Sequence, residues 1–415
     1  MPRRRRPRTE PGTERERHAL IVGAGLAGCA TAAALAEQGW RCTLIERRAA
    51  PAEEGSGNPA GLWHGIVHAQ DGVHARWHRA AALAAQRAVQ QAIGEGSVRG
   101  GLRGLLRLDT SGSSAAQMAG ELQALQLPAD YVQALDAREA SARCGLPLRH
   151  PAWFYPGAGW VQPAALARAW LRRAGPAAEF RGGQAVQALR RDGERWQMVD
   201  AEGRVIGASA TVVLANACEA LRLLDATHWP VRQVRGQISL WPQGKPKDAQ
   251  RLPLPTLPLA GAGYLLPEID GQAVFGASAQ PGDGEPRVRE SDHACNLQRL
   301  RQLCSPPWLP QPEQLQGRVG WRCVADDRLP LLGAVPDEAA ARQQRIERLS
   351  EVPRLRGLHL FSGLASRGIA SSVLGAQVLA AQLSGAPLPL EASLVDALDP
   401  ARFTLRALRR GAVRG

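Results

Sequence analysis

The sequence predicts an α/β + β chain: a Rossmann-like dinucleotide-binding domain, discontinuous in sequence, with a smaller and mainly antiparallel substrate domain. Three observations lead there. A glycine-rich turn separates an apolar strand from an apolar helix over residues 18–38, a second strand follows and ends in the acid Glu46, and near residue 231 the pattern changes to short strands punctuated by proline and glycine. With 415 residues, 45% of them hydrophobic, the chain can bury the cores of two domains.

Order is expected to begin with the strand His18–Val22, because seven arginines and three glutamates crowd residues 1–17 into a basic, disordered tail. The helix Leu26–Gln38 and the strand Arg41–Glu46 complete a βαβ opening. Residues 51–73 read as a Gly/Pro-rich loop and Val73–Ile93 as a helix. Trp196–Val199 and Arg204–Ile206 read as hairpin strands around Glu202-Gly203, and Thr211–Leu214 is an unbroken apolar run of the kind that parallel sheets bury. Leu358–Ser362 reads as a further strand and Ile369–Leu383 as a helix entered through a glycine-containing loop. Residues 18–94, 161–224 and 319–400 are thereby assigned to the dinucleotide domain, and 95–160 and 225–318 to the substrate domain. Residues 401–415, with five arginines and no acid, read as a basic C-terminal tail.

In Gly23-Ala24-Gly25-Leu26-Ala27-Gly28 the three glycines play separate parts. The first permits a tight turn, the second lets backbone approach a pyrophosphate, and the third lets helix pack on strand. The helix N-terminus adds unpaired amides and the positive end of its dipole. Glu46, 18 residues after Gly28, is placed to accept hydrogen bonds from a ribose, and its charge disfavours a 2′-phosphate and hence NADP. The motif alone leaves NAD and FAD open, with an Ala/Gly-rich core helix as the bland alternative. The loop Gly363-Leu364-Ala365-Ser366-Arg367-Gly368 favours FAD, since first-turn amides of the helix it enters suit a flavin's pyrimidine edge, where reduction places negative charge.

Several distant segments resemble the D-amino-acid-oxidase (DAO) type of FAD enzyme: Val234-Arg235-Gly236-Gln237, Tyr264-Leu265-Leu266-Pro267, and Gly320-Trp321-Arg322 followed by Asp327, Leu329-Pro330 and Gly333. The chain is similar in particular to the FAD-dependent oxidoreductase half of the bifunctional tRNA 5-methylaminomethyl-2-thiouridine biosynthesis proteins. That similarity rests on Gly55-Ser56-Gly57-Asn58-Pro59-Ala60-Gly61, Ile66-Val67-His68, Gly276-Ala277-Ser278, Arg322-Cys323, Ser362-Gly363-Leu364 and Ser366-Arg367-Gly368.

The resemblance implies a DAO/glutathione-reductase-2 type fold. It also implies noncovalent FAD held by Gly23, Gly25, Gly28, Glu46, Ser56, Gly57, Asn58, Gly61, Ala215, Gly363, Ser366, Arg367, Gly368 and Ile369. The reaction it implies is oxidation of the carboxymethylaminomethyl group on a tRNA wobble uridine. Hydride leaves the glycine-like methylene for the flavin, and water hydrolyses the resulting imine to glyoxylate and an aminomethyl uridine. A planar, permanently charged guanidinium suits the substrate carboxylate, so Arg322 and Arg367 are the candidates, with Tyr264 as hydroxyl partner and His68 as a base if one is needed. The bifunctional proteins carry a methyltransferase half before this one, where this sequence has only its arginine-rich head. A separate S-adenosylmethionine-dependent methyltransferase is therefore expected to act on the product.

The net charge of +13 is unevenly distributed, with the two terminal arms supplying +9 of it. Such arms suit a polyanion such as tRNA through phosphate pairing, or are simply solvated tails. Lys245 and Lys247, the only lysines, share one loop, which argues against a lysine base. The basic head before Ala19–Ala36 imitates a signal peptide, yet glycines at dinucleotide spacing and the strand that follows have no place in one. That run is also too Gly-rich for a membrane span, and no membrane association is expected. Seven cysteines without a C-x-x-C pair point to a reduced, cytoplasmic protein. His64 and His68, and His74 and His78, fall at i,i+4, but Gly65 and Gly72 interrupt the region and no metal is expected. Cys323 sits where some amine oxidases attach flavin covalently; a core cysteine is expected instead. The competing readings are an FAD-dependent oxidase of a free amino acid (glycine, sarcosine or a D-amino acid) and a non-catalytic, flavin-containing RNA-binding partner.

Overall fold

The computed structural model describes residues 17–244 and 251–412. Most of the basic head, the loop with both lysines and the last three residues lie outside the described residues, and so does the expectation of a disordered N-terminal tail.

A six-stranded sheet carries the glycine turn. Its spatial order is Leu331–Pro336, Arg354–Ser362, Thr211–Leu214, His18–Val22, Arg41–Ile45 and Ala178–Arg181, all parallel except the first. Alternation along His18–Val22 explains why the run is apolar throughout. Ala19 and Ile21 enter the core under the helices Leu26–Glu37, Val73–Gly94, Pro163–Ala174 and Gly368–Ser384. Leu20 and Val22 face the other side, against Trp196 and Met198. A parallel strand covered on both faces has no polar side to show. The covering layer is a three-stranded antiparallel sheet, Ala188–Asp192, Arg195–Val199 and Val205–Ser209, whose last two strands are the expected hairpin.

The second layer is a nine-stranded, mostly antiparallel sheet built chiefly on Val231–Pro242, which pairs with Gln272–Gly276, Gln280–Pro281 and, from Val231 to Leu240, with Gln316–Ala325. Its far end runs through Tyr264–Leu265, Leu259–Ala260, Leu105–Leu108 and Ala152–Tyr155 to Gln133–Leu135. The helix Glu290–Cys304 packs on this sheet through Leu297, Leu300 and Leu303. Within it, Arg235 makes a fully buried ion pair with Asp292 at 2.6 Å and also donates to the Glu285 and Arg287 carbonyls. Burial of such a pair is costly unless every donor is used, so Arg235 is a latch between strand and helix.

Two expectations are corrected. Residues 401–412 are not a tail but the helix Ala401–Ala412, which buries Phe403 and Leu405 and places Arg402 and Arg406 on the Asp327 carboxylate. The arginine count concealed apolar residues that needed a core. Residues 51–73 are not wholly loop, because Gly61–Trp63 pairs with Gly159–Val161. Among the described residues no helix is long and apolar enough to cross a membrane.

Candidate functional site

A cavity of about 490 Å³ opens where His18–Val22, Arg41–Ile45 and Thr211–Leu214 end, and Val22, Ile45 and Ala215 line it. This is where a doubly wound sheet leaves its crevice. Gly23 and Gly25 lie on its wall. Gly23 has φ +96°, and a Cβ there would stand 2.9 Å from the Ala215 carbonyl oxygen. Gly28 acts from behind: a Cβ would fall 1.9 Å from the Gly23 oxygen, so the helix rests directly on the turn. Glu46 braces the same turn, accepting from the amides of Ala24 at 2.8 Å and Arg48 at 2.9 Å. Ser56 Oγ accepts from the first-turn amide of Leu26 at 3.1 Å. At the other end the cavity reaches Gly363, Ala365 and Gly368, where the helix Gly368–Ser384 begins. A glycine cradle that a Cβ would fill, a helix start at each end and an acid beside the turn fit an FAD-type dinucleotide.

The Gly55–Gly61 segment is held by a residue that its own sequence does not reveal. Arg318, on Gln316–Ala325, donates to Asn58 Oδ1 at 3.0 Å and to the carbonyls of Glu53 at 2.8 Å and Glu54 at 2.6 Å. Gly57 leaves the space for it, since a Cβ there would meet the Arg318 guanidinium at 2.4 Å and the Ala52 oxygen at 2.7 Å. Asn58 is thus a strut of the loop that carries Ser56. Gly61 and Ile369 meet each other, the Ile369 side chain filling what a Cβ at Gly61 would occupy. Ser366 is exposed. Gly28, Gly57, Asn58, Gly61 and Ile369 therefore support the cavity from behind its wall.

The two candidate arginines face different groups. Arg322 lines the cavity, lies over Gly236 and donates to the Ser278 carbonyl at 3.2 Å. Burial lowers its guanidinium pKa, with neighbouring Tyr264 opposing and Arg299 reinforcing that shift. Burial raises the Tyr264 hydroxyl to about 12, against the pull of Arg322. Arg299 is turned toward the same place by its bond to the Ala277 carbonyl. Among the described residues no acid pairs with Arg322 or Arg299, which leaves a cationic pocket beside the cavity.

Arg367 instead caps the helix Gly368–Ser384 and donates to the His64 carbonyl at 3.0 Å. Burial first, then Arg107, pushes its pKa down to about 10. Around it stand His64, weighed in the sequence only as half of an i,i+4 metal pair, and Tyr131 and Tyr155, which the sequence did not single out. The only signal that could have found Tyr155 and Arg107 was alternation in two short strands. His68 is corrected: it is exposed, its Nδ1 faces the Gln70 amide at 3.3 Å, and it does not line the cavity. Of the histidines between residues 64 and 78 the buried ones are His64 and His78, both driven toward the neutral form by burial and then by Arg367, His78 down to about 2. Among the described residues no three His, Cys, Asp or Glu side chains converge as metal ligands do.

Cys323 is buried on the cavity wall beside Cys218 and accepts from Ser362 Oγ at 3.5 Å. The Cys218 thiol is hydrogen-bonded to Cys323, which with burial holds Cys218 protonated far above the usual thiol range.

The family of FAD dependent oxidoreductases, DAO, matches residues 18–382. The chain is 48% identical over 407 residues to the tRNA 5-methylaminomethyl-2-thiouridine biosynthesis bifunctional protein MnmC of Methylibium petroleiphilum, covering 94% of this chain and 60% of that protein. It is 41% identical over 410 residues to the protein of the same name from Burkholderia thailandensis, covering 96% of this chain and 61% of that one. The chain thus spans about three fifths of the length of these relatives. Among solved structures, glycine oxidase from Geobacillus kaustophilus superposes with a TM-score of 0.69 at 22% identity, over 92% of this chain and 97% of that one. Iminodiacetate oxidase from Chelativorans sp. BNC1 gives 0.67 at 22% identity, over 92% and 98%. At such identities the likeness shows the fold.

Proposed function

The chain belongs to the FAD dependent oxidoreductase (DAO) family, and from that premise we propose that it oxidises the carboxymethylaminomethyl group of a tRNA wobble uridine, releasing glyoxylate and leaving 5-aminomethyl-(2-thio)uridine. The observation that carries this reading is the Arg322 guanidinium, without an acid partner among the described residues, beside Tyr264 on the wall of the cavity that the glycine turn opens. The relatives named for tRNA 5-methylaminomethyl-2-thiouridine biosynthesis support the choice of substrate.

The carboxymethylaminomethyl group is an N-alkylated glycine. Its carboxylate is taken by Arg322, with the Tyr264 hydroxyl donating alongside and Arg299 adding positive charge. Burial strengthens that attraction, because little water competes for the guanidinium. Fixing the carboxylate fixes the neighbouring methylene, and orientation is the largest contribution side chains can make here. FAD, noncovalently held between Gly23–Gly28 and the start of Gly368–Ser384, supplies a two-electron acceptor for hydride. No base is assigned: His68 is remote, and the amine enters unprotonated. The arginine-rich head is assigned to the tRNA backbone, and the protein to the cytoplasm. Methylation of the product is assigned to S-adenosylmethionine chemistry outside residues 18–382.

A direct check is incubation of the FAD-loaded protein with tRNA bearing carboxymethylaminomethyl uridine, followed by nucleoside mass spectrometry. Conversion to the aminomethyl nucleoside is expected; an unchanged nucleoside overturns the reading.

A further inference from the structure

Arg367 and Arg107 form a second group of unpaired cations, and nothing in the proposed reaction uses Arg107. The strand register places it: Leu105–Leu108 pairs antiparallel with Ala152–Tyr155, Leu105 opposite Tyr155 and Arg107 opposite Trp153. Side chains alternate along a strand, so Arg107 and Tyr155 share the face opposite to Leu106 and Phe154, which enter the substrate-domain core. Tyr155 is 2% exposed, its ring lies 5.3 Å from that of His64, and Arg367 donates to the His64 carbonyl at 3.0 Å. Tyr131 meets Tyr155 edge to face at 5.8 Å.

Four features of this group call for an anion. Both guanidiniums lack a carboxylate partner among the described residues. They are close enough that Arg107 disfavours the charged form of Arg367. The buried hydroxyls of Tyr131 and Tyr155 complete no hydrogen bond, although the Ile66 and Val67 backbone comes near enough to favour their ionised forms. The nearest histidine, His64, is held neutral by burial and by both arginines, a further sign of uncompensated positive charge.

The group lies beside the Arg322 pocket on one face of the sheet: Arg107 is opposite Ala260 and Ala260 opposite Tyr264, which sets Arg107 two strands, about 10 Å, from Tyr264. Leu62 packs against the Tyr131 and Tyr155 cluster on one side and, on the other, against the Ile238 and Val274 cluster that includes Tyr264. One small carboxylate is already provided for at Arg322. Two guanidiniums with tyrosine hydroxyls suit a tetrahedral oxyanion, which offers more acceptor oxygens than a carboxylate.

We propose that Arg107 and Arg367, with the Tyr155 hydroxyl, are a second anion site that takes a phosphate group of the nucleotide substrate. This rests on the nucleic-acid reading above and deepens it. The reacting end of the nucleotide is held at Arg322 and its backbone at Arg107 and Arg367, so the substrate is gripped at two points. A free amino acid fills only the first.

The test is calorimetric titration of the FAD-loaded chain with two probes, inorganic phosphate and glycolate, in the wild type, R107Q and R322Q. R107Q is expected to weaken phosphate by at least about tenfold and to leave glycolate within about twofold, while R322Q does the reverse. R107K, which keeps the charge but loses the planar fork, should fall between wild type and R107Q for phosphate and serves if R107Q loses flavin. Absence of phosphate binding to the wild type overturns the proposal, as does phosphate affinity unchanged in R107Q. Equal weakening of both probes by R107Q also overturns it, because Arg107 would then belong to the carboxylate pocket. Failure of the tRNA reading is separate and visible: the wild type would leave modified tRNA unconverted whatever the probes show.

Discussion

Replacing Arg318 with methionine tests how the loop that carries Ser56 is held. Methionine keeps the length and apolar stem of the side chain and removes three hydrogen bonds, to Asn58 Oδ1 and to the Glu53 and Glu54 carbonyls. A hydrogen bond from a charged donor is worth about 1.5–3 kcal/mol when nothing replaces it. Here Glu53 is exposed and Glu54 half-buried, so water recovers much of the loss at the two carbonyls. The remaining cost is about 3 kcal/mol, most of it the order of residues 53–58. The strand Gln316–Ala325 keeps its ladder with Val231–Pro242, so the fold should survive. The freed loop must be ordered again when the dinucleotide binds, because Ser56 sits over the Leu26 amide at the cavity edge. At about 1.4 kcal/mol per tenfold, the FAD Kd should rise by roughly two orders of magnitude. Asn58→Ala removes one bond of the three and should cost about tenfold. Both are read by quenching of flavin fluorescence on titrating apo-protein, with Tm as the control. An R318M protein that binds FAD within about threefold of wild type would refute the role assigned to Arg318.

Other expectations follow from the same geometry. Gly28→Ala places a methyl 1.9 Å from the Gly23 oxygen, so the turn must open; flavin should be absent from the purified protein and Tm lowered. At Asp327 burial opposes ionisation, but Arg402 and Arg406 outweigh it and hold the carboxyl below its usual range. Its contribution is therefore complete above the unfolded value of about pH 4 and lost as pH falls through the lower folded value. Asp327→Asn should cost about 2 kcal/mol in urea denaturation at pH 7, less than a fully buried pair because Arg402 keeps the Leu329 and Leu398 carbonyls. The difference from wild type should shrink in acid. His78 has the same sign of linkage in a higher pH window: burial and then Arg367 depress its folded pKa to about 2, so only the unfolded chain takes up its proton as pH falls below about 6.5. Stability should decline there by about 1.4 kcal/mol per pH unit for this histidine, and His78→Gln should remove that slope.

The βαβ opening was legible because its constraints are local. Three glycines, one helix start and one acid lie within 24 residues, and each meets a neighbour in the same turn. The strand Thr211–Leu214 was legible because both its faces are covered, which leaves an apolar run with no alternation to misread. What escaped was held by contacts distant in sequence. Arg318 reaches Asn58 across 260 residues, and no motif marks it. Arg107 gains its place only when its strand pairs with Ala152–Tyr155. The Ala401–Ala412 helix was misread because charge was counted without geometry: Arg402 is buried on Asp327, so a basic run there is an internal ion pair. His68 was chosen from its position in a motif, whereas the chain buries His64 four residues earlier.

The proposed substrate is tested most directly in a single tube holding the FAD-loaded protein, tRNA with unlabelled carboxymethylaminomethyl uridine and an excess of carbon-13 glycine. Glyoxylate is trapped as a hydrazone and its isotopic composition read by mass spectrometry. The expected result is unlabelled glyoxylate, in equal amount to the aminomethyl nucleoside formed. Labelled glyoxylate with the tRNA unchanged would contradict it.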